Sequence, residues 1–217
     1  MQAVLTMLLA DSRFPAGGYA HSLGLEEAVA GGLGADDVPA FAAARLRLVG
    51  EADARIAVAA RRGQEPLERL DEEWAARCPG PALRTASRRL GAQLLRSAAV
   101  VWDDPGIVAY RARSATTPRP VALGVVGAAA GLDDEPVARL SLYDDAATVT
   151  SAALKLLPLD PAVATRWLAG LAPAIAAAAR RAAADRRPVA EQPPPAAPGL
   201  ELAAAVHVER RERLFAS

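Results

Sequence analysis

Apolar residues along this 217-residue chain recur mostly at helical spacing, and no period-two alternation persists anywhere. Val4, Leu5, Met7, Leu8 and Leu9 predict a short buried helix that stops before Pro15. A second helix opens near His21 or Ser22 and ends at Gly31-Gly32. A third, capped by Asp36 or Asp37, carries Val38, Phe41, Leu48, Ala52, Ile56 and Ala59 on one face and stops at Gly63. A shorter helix follows Pro66, and "CPGP" at 78–81 is a break. From 81 to 102, Leu83, Ala86, Leu90, Leu94, Ala98 and Val101 form one stripe, with Arg84, Arg88 and Arg96 largely off it. "DDPG" at 103–106 reads as a turn. Gly124, Gly127 and Gly131 lie in an alanine-rich run suited to close helix contact but costly in helix propensity. A helix restarts at Asp133 or Asp134 and reaches Leu157. Asp160-Pro161 then supplies an N-cap and first-turn proline for a long helix to Arg187, which Pro173 should kink.

"PVAEQPPPAAPG" breaks this pattern, because so many prolines favour an extended, semi-rigid linker over a packed element. The predicted architecture is all-α: a single-domain helical bundle over 1–187, a proline-rich linker over 188–199, and a C-terminal tail helix over 200–217. The tail's apolar face (Leu200, Ala203, Ala204, Val206, Val208, Leu214) is modest, so it is expected to be loosely held until it docks on another surface.

Composition narrows the function classes. Apolar residues make up 52% of the chain but aromatics only 4%, so the core is built from small side chains. Twenty-five basic residues balance twenty-five acidic ones, which argues against nucleic-acid binding and leaves little repulsion to oppose self-association. The lone Cys78 cannot form an internal disulfide and fits a reducing compartment. The apolar opening run lacks the basic flank of a secretory leader, and the run at 120–132 is too short to span a membrane. These features read as a soluble cytoplasmic protein.

Catalytic and metal chemistry find little support. His21, Cys78 and His207 are too dispersed in sequence for a closed metal site within one chain. Gly17-Gly18 comes with neither a preceding strand nor the lysine of a phosphate-binding loop. Asp11, Ser12 and His21 supply the residue types of a small hydrolase without a nucleophile elbow. No catalytic residue, metal ligand or cofactor is assigned. A helical body with a polar, aromatic loop at one end and a separable tail at the other suits a binding protein.

Four stretches also carry a resemblance. "DSRFPAGGYAHSLGLEEAV" at 11–29 resembles the N-terminal signature of the urease accessory protein UreF family. "ASRRLGAQLL" at 86–95, "AALKLLPLD" at 152–160 and "HVERRERLFAS" at 207–217 resemble its central, later and closing segments, in the right order. Lys155 stands where many members have arginine, and Asp160-Pro161 replaces a common Gly-Gln.

The resemblance implies a dimeric helical protein without activity of its own. Such a protein assembles with a UreD/UreH-type protein and the GTPase UreG to deliver nickel to apo-urease. It places partner contacts at Tyr19, His21, Glu26, Arg213, Leu214 and Phe215, with the Arg213 guanidinium on the Tyr19 hydroxyl, and a dimer interface near Arg139 and Tyr143. Two other readings stay open. One is a helical interaction module with an unrelated partner; the other has Tyr19 and His21 packing only within the chain, with Arg210, Arg211 and Arg213 as a solvated face.

Overall fold

The computed structural model describes the whole chain except residues 79, 115, 196, 210–213, 216 and 217 and the side chains of Tyr19, Val208 and Glu209. It is all-α, with no strand among the described residues. The helices are α1 (Gln2–Ala10), α2 (Leu25–Ala30), α3 (Val38–Arg45), α4 (Glu51–Arg62), α5 (Leu67–Arg77) and α6 (Pro81–Val101). They continue with α7 (Pro105–Arg113), α8 (Arg119–Ala129), α9 (Asp134–Leu156), α10 (Pro161–Ala184) and α11 (Pro198–Glu209). A π-helical turn over Leu46–Gly50 joins α3 to α4 without a break, so the predicted third helix is one rod with a bulge.

Two helices organise the core. α4 and α9 cross at the centre; α8 and α6 close one side, α10 and α3 the other. Ile56, Val121, Val126 and Leu140 belong to the first apolar cluster, and Leu25, Val38, Leu142 and Ile175 to the second. The glycines of α8 permit this closeness. A Cβ on Gly124 would lie 2.3 Å from the Ala57 carbonyl oxygen, and one on Gly127 would lie 2.4 Å from Val137 Cγ2. The small-residue run is therefore consumed by packing within the chain and gives no support to a dimer contact.

Charged groups lock the helix ends. The Arg62 guanidinium donates to the Asp185 and Ala183 carbonyls at 2.6 and 2.7 Å and to Asp134 at 2.9 Å, tying the end of α10 to the start of α9. Arg45 pairs with Asp145 at 2.9 Å, both side chains largely buried.

Four expectations need correction. The first helix has no buried residue: Leu5 and Leu9 pack inward, but Val4 and Met7 are exposed, because α1 lies on the outside of the bundle. Residues 105–113 form a helix rather than following a simple turn. The Asp104 carboxylate accepts from the Gly106 and Ile107 amides at 2.8 and 3.1 Å, with Pro105 in the first turn. α10 is 24 residues long with a mean hydropathy of 1.4, enough in length and composition to cross a membrane. Its alanine content raises that value, while Leu171, Ile175, Ala178, Ala179 and Ala182 pack into the bundle; Pro173 sits inside the helix without ending it. The proline-rich segment does not run free either. Val189 is buried, its amide donates to Glu65 at 3.1 Å, and its carbonyl accepts from Arg77 at 2.6 Å.

Candidate partner-docking site

The stretch from Phe14 to Glu26 is pinned at both ends. Phe14 is buried against Trp102, with ring centroids 6.2 Å apart. The Pro15 carbonyl accepts from Gln93 at 2.9 Å and from Ser97 at 2.8 Å, both on α6. Gly17 turns the chain in the left-handed region (φ 82°), a conformation that glycine adopts without strain. A second reversal feeds α2: Leu23 (φ 55°) and Gly24 (φ 91°) are both left-handed. Leucine is rarely found there, so the turn is held against its own preference, partly by Arg45, which donates to the Leu23 carbonyl at 3.4 Å. His21 and Ser22 are buried, and the Glu26 amide reaches the Ser22 hydroxyl at 3.4 Å. Burial, then the charges of Arg119 and Arg89, push the His21 pKa down, so its neutral form is favoured.

The two chain ends meet on α2. The Glu26 carboxylate, 7% exposed, accepts from the Leu214 amide at 2.7 Å and from the Phe215 amide at 3.2 Å. His207, 3% exposed, stands between the Glu27 carboxylate (3.1 Å from Nδ1) and the Phe215 carbonyl (3.2 Å from Nε2). Phe215 is buried in the same apolar cluster as Leu25, with the Lys155 ammonium 5.0 Å from its ring centroid. Sequence reasoning expected Phe215 to be buried by a partner and the tail to be loose alone; here Phe215 is buried by this chain, because Glu26 satisfies its amide and α2 and α9 provide an apolar seat. Leu214 faces outward, 69% exposed.

Beside the tail, Phe41, Leu48, Leu202 and Val206 line an apolar groove of about 550 Å³. Leu202 is 67% exposed, so this face of α11 is left open. The four motif stretches meet in pairs: Gln93 of the second holds the Pro15 carbonyl of the first, while Glu26 of the first and Lys155 of the third both meet Phe215 of the fourth. Gly91 is required because a Cβ there would lie 1.9 Å from the Thr117 carbonyl oxygen.

Between α4, α6, α9 and α11 lies a deep cavity of about 320 Å³ that sequence reasoning did not anticipate. Asp53, Arg45, Asp145, Arg119, His21 and Cys78 are on its wall. Burial, then the nearby Asp145, raise the Asp53 carboxyl from 3.8 to about 6, against the pull of Arg45. Burial and the charges of Glu201 and Asp53 push the Cys78 thiol up to about 12. The structure thus brings His21 and Cys78 to one cavity, while His207 lies on the tail's seat. Among the described residues, no group of three or more histidine, cysteine or carboxylate side chains is placed to hold a metal ion.

The other anticipated residues are scattered. Asp11 is engaged at the surface by Arg13 at 2.6 Å, and that hydrogen bond lowers its carboxyl to about 2, whereas His21 is buried. Arg139 is exposed on α9 and pairs with Glu135; Tyr143, one turn on, is partly buried. Arg213 and the Tyr19 side chain lie outside the described residues.

Comparison with known proteins follows the same lines. The family model described as UreF matches residues 33–172. A urease accessory protein UreF of Mycobacterium sp. (strain JLS) is 39% identical over 223 residues, spanning all of both chains. That of Mycobacterium marinum is 38% identical over 98% of each chain, and that of Mycobacterium bovis 42% identical over 73% of this chain and 75% of its own. The family match stops short of both ends, but the full-length relatives include the first loop and the tail.

Proposed function

Because the chain belongs to the UreF family of urease accessory proteins, we propose that it bridges a UreD/UreH-type protein and the GTPase UreG. In that complex it modulates GTP-dependent nickel insertion into apo-urease in the cytoplasm, with nickel as cargo and without a catalytic site of its own. The observation that carries this reading is the seating of the closing stretch on the first one, where Glu26 accepts the Leu214 and Phe215 amides and the packed tail leaves Leu214, Leu202 and an apolar groove facing out. Exposed apolar side chains beside a rigid, hydrogen-bonded seat are what a docking partner buries. Glu26 and His207 hold the seat in shape, Leu214 is the outward contact, and His21 stands on the adjoining cavity wall. A homodimer meets through α9 near Arg139 and Tyr143.

Co-expression with the UreD/UreH-type protein and the GTPase, followed by size-exclusion chromatography, tests the assembly. A stable ternary complex of about two copies of each chain supports it, and a monomer that ignores both partners removes it. Arg213 is assigned as the polar anchor for Tyr19. A charged hydrogen bond contributes about 1.5–3 kcal/mol, so Arg213→Ala should weaken partner binding at least about tenfold. Arg211→Ala should bind and support urease activation nearly normally; equal, small effects of both variants would return the basic tail to a solvated face.

A further inference from the structure

The cavity has an unusual fourth wall. α4, α6 and α9 belong to the packed body, but Pro195, Pro198, Leu200 and Glu201 come from the chain's last segment. The body's hold on that segment is well defined as far as Gln192, which is buried and donates to the Arg187 carbonyl at 2.8 Å. Beyond it, α11 crosses the cavity and is fixed again at its far end, where Glu26, Glu27 and His207 clasp the tail. None of these three clasping residues lines the cavity. The wall and its fastening are therefore separate parts of the structure.

The crossing itself is poorly compensated. Glu201 lies over the turn before α6, so close that a Cβ on Gly80 would come within 2.2 Å of its Oε2. Glu201 Oε2 and Asp145 Oδ2, both buried, accept no hydrogen bond among the described residues. Asp53 adds a further carboxylate to the same enclosure. Closing α11 over the cavity thus leaves the buried Glu201 and Asp145 oxygens unmet, although Arg45 pairs with the other oxygen of Asp145, and that opposes closure. The outer face of α11, with Leu202 and Val206 exposed, adds nothing to its hold. Ala204 is buried and Leu200 lies against Gly24, and the far clasp completes the seating of α11.

We propose that α11 and the tail form a strap over this cavity, latched on α2 by Glu26, Glu27 and His207, and that releasing the latch opens the cavity to solvent. A protein that grips the tail thereby controls access to the cavity; this consequence rests on the docking function proposed above, whereas the strap is a property of the isolated chain, so the two can fail separately.

Cys78 is a built-in reporter, being the sole cysteine and part of the cavity wall. Its thiol is pushed up by burial and by Glu201, so opening should both expose it and restore its reactivity. The experiment is labelling of the purified full chain with a dithiodipyridine reagent, comparing wild type with Glu26→Ala and His207→Ala. The wild type should react at least tenfold more slowly than the urea-unfolded chain. Each variant should react at least tenfold faster than wild type, with unchanged far-ultraviolet circular dichroism. Equal rates in wild type and variants, or a wild type that reacts like the unfolded chain, overturn the strap. Should the variants unfold altogether, hydrogen exchange on the wild type decides. Amides of α11 that exchange together, well ahead of α4 and α9, support the strap; protection equal to that of the core overturns it.

Discussion

Replacing Asp53 with asparagine should stabilise this protein, although it removes the charge of a partly buried, hydrogen-bonded side chain. Asp53 accepts from the Trp74 indole at 3.2 Å, a bond an asparagine carbonyl can keep. Its carboxyl is raised from 3.8 to about 6 by burial and by Asp145. The folded chain therefore holds that proton more tightly than the unfolded chain does. Stability falls as pH rises from about 3.8 through about 6, and the full cost remains above that window. A shift of about two units corresponds to about 3 kcal/mol at neutral pH, of which roughly half is incurred between pH 5 and pH 7.5. Asparagine cannot ionise and does not repel Asp145. Urea unfolding at both pH values, followed by far-ultraviolet circular dichroism so that Trp74 does not bias the signal, measures the difference. Asp53→Asn should gain about 2–3 kcal/mol at pH 7.5 and about half as much at pH 5. A variant no more stable than wild type at pH 7.5, or one whose advantage is the same at both pH values, would refute the argument that the Asp53 charge costs stability.

Two glycines of similar sequence context should respond with opposite signs. Gly124→Ala forces a methyl to within 2.3 Å of the Ala57 carbonyl, so urea unfolding should show a loss of about 1–3 kcal/mol. Gly170→Ala, on α10 with nothing within 4 Å of the new methyl, should gain about 0.5–1 kcal/mol through helix propensity. Asp104→Ala removes both acceptor contacts at the start of α7 and should cost about 1 kcal/mol, seen as a lower thermal midpoint; no change would mean that Ile107 and Tyr110 alone hold that helix.

Helices whose apolar face is long and whose ends carry a defined chemical signal were readable from the chain. Asp160-Pro161 opens α10 as its residue types predict, with the Asp160 carboxylate accepting from the Ala162 amide at 2.7 Å. Gly63 closes α4 in the left-handed region, as a helix-terminating glycine should. Asp104-Pro105 carries the same opening signal as Asp160-Pro161, yet within "DDPG" it also fits a turn. The cap outweighs one unfavourable glycine when Ile107 and Tyr110 have a core to enter. The opposite error was made at α1. Val4, Leu5, Met7, Leu8 and Leu9 are apolar on every side, so periodicity could not say which of them face inward, and position at the edge of the bundle left Val4 and Met7 exposed. The π turn at Leu46–Gly50 has no periodic signature of its own; it is a local repacking where Gly50 meets Leu142.

Three of the expected residues, Glu26, Leu214 and Phe215, meet in the structure, but nothing in the sequence says how they are joined. Glu26 was singled out for its place in a motif, and the chemistry it performs is to accept two backbone amides from residues 188 and 189 positions further along the chain. No sequence rule pairs a carboxylate with distant amides, because every residue except proline offers the same donor. Glu27 and His207 were not linked for a related reason: a lone histidine near the end of a helix is ordinarily read on its own helix, and its partner lies 180 positions away. The proline-rich segment misled in a more informative way. Its composition argues for an extended spacer, and its prolines do lack amide donors. Residues 189–192 between them still have donors and acceptors, and these are met by Glu65, Arg77 and the Arg187 carbonyl. The extended part is thereby confined to a few residues just before α11. A short spacer anchored at Gln192 cannot carry the tail far from the body, so it returns the tail to the same seat each time it lets go. Restricted reach of this kind raises the effective concentration of the tail at α2, which makes a clasp of a few hydrogen bonds sufficient to hold it.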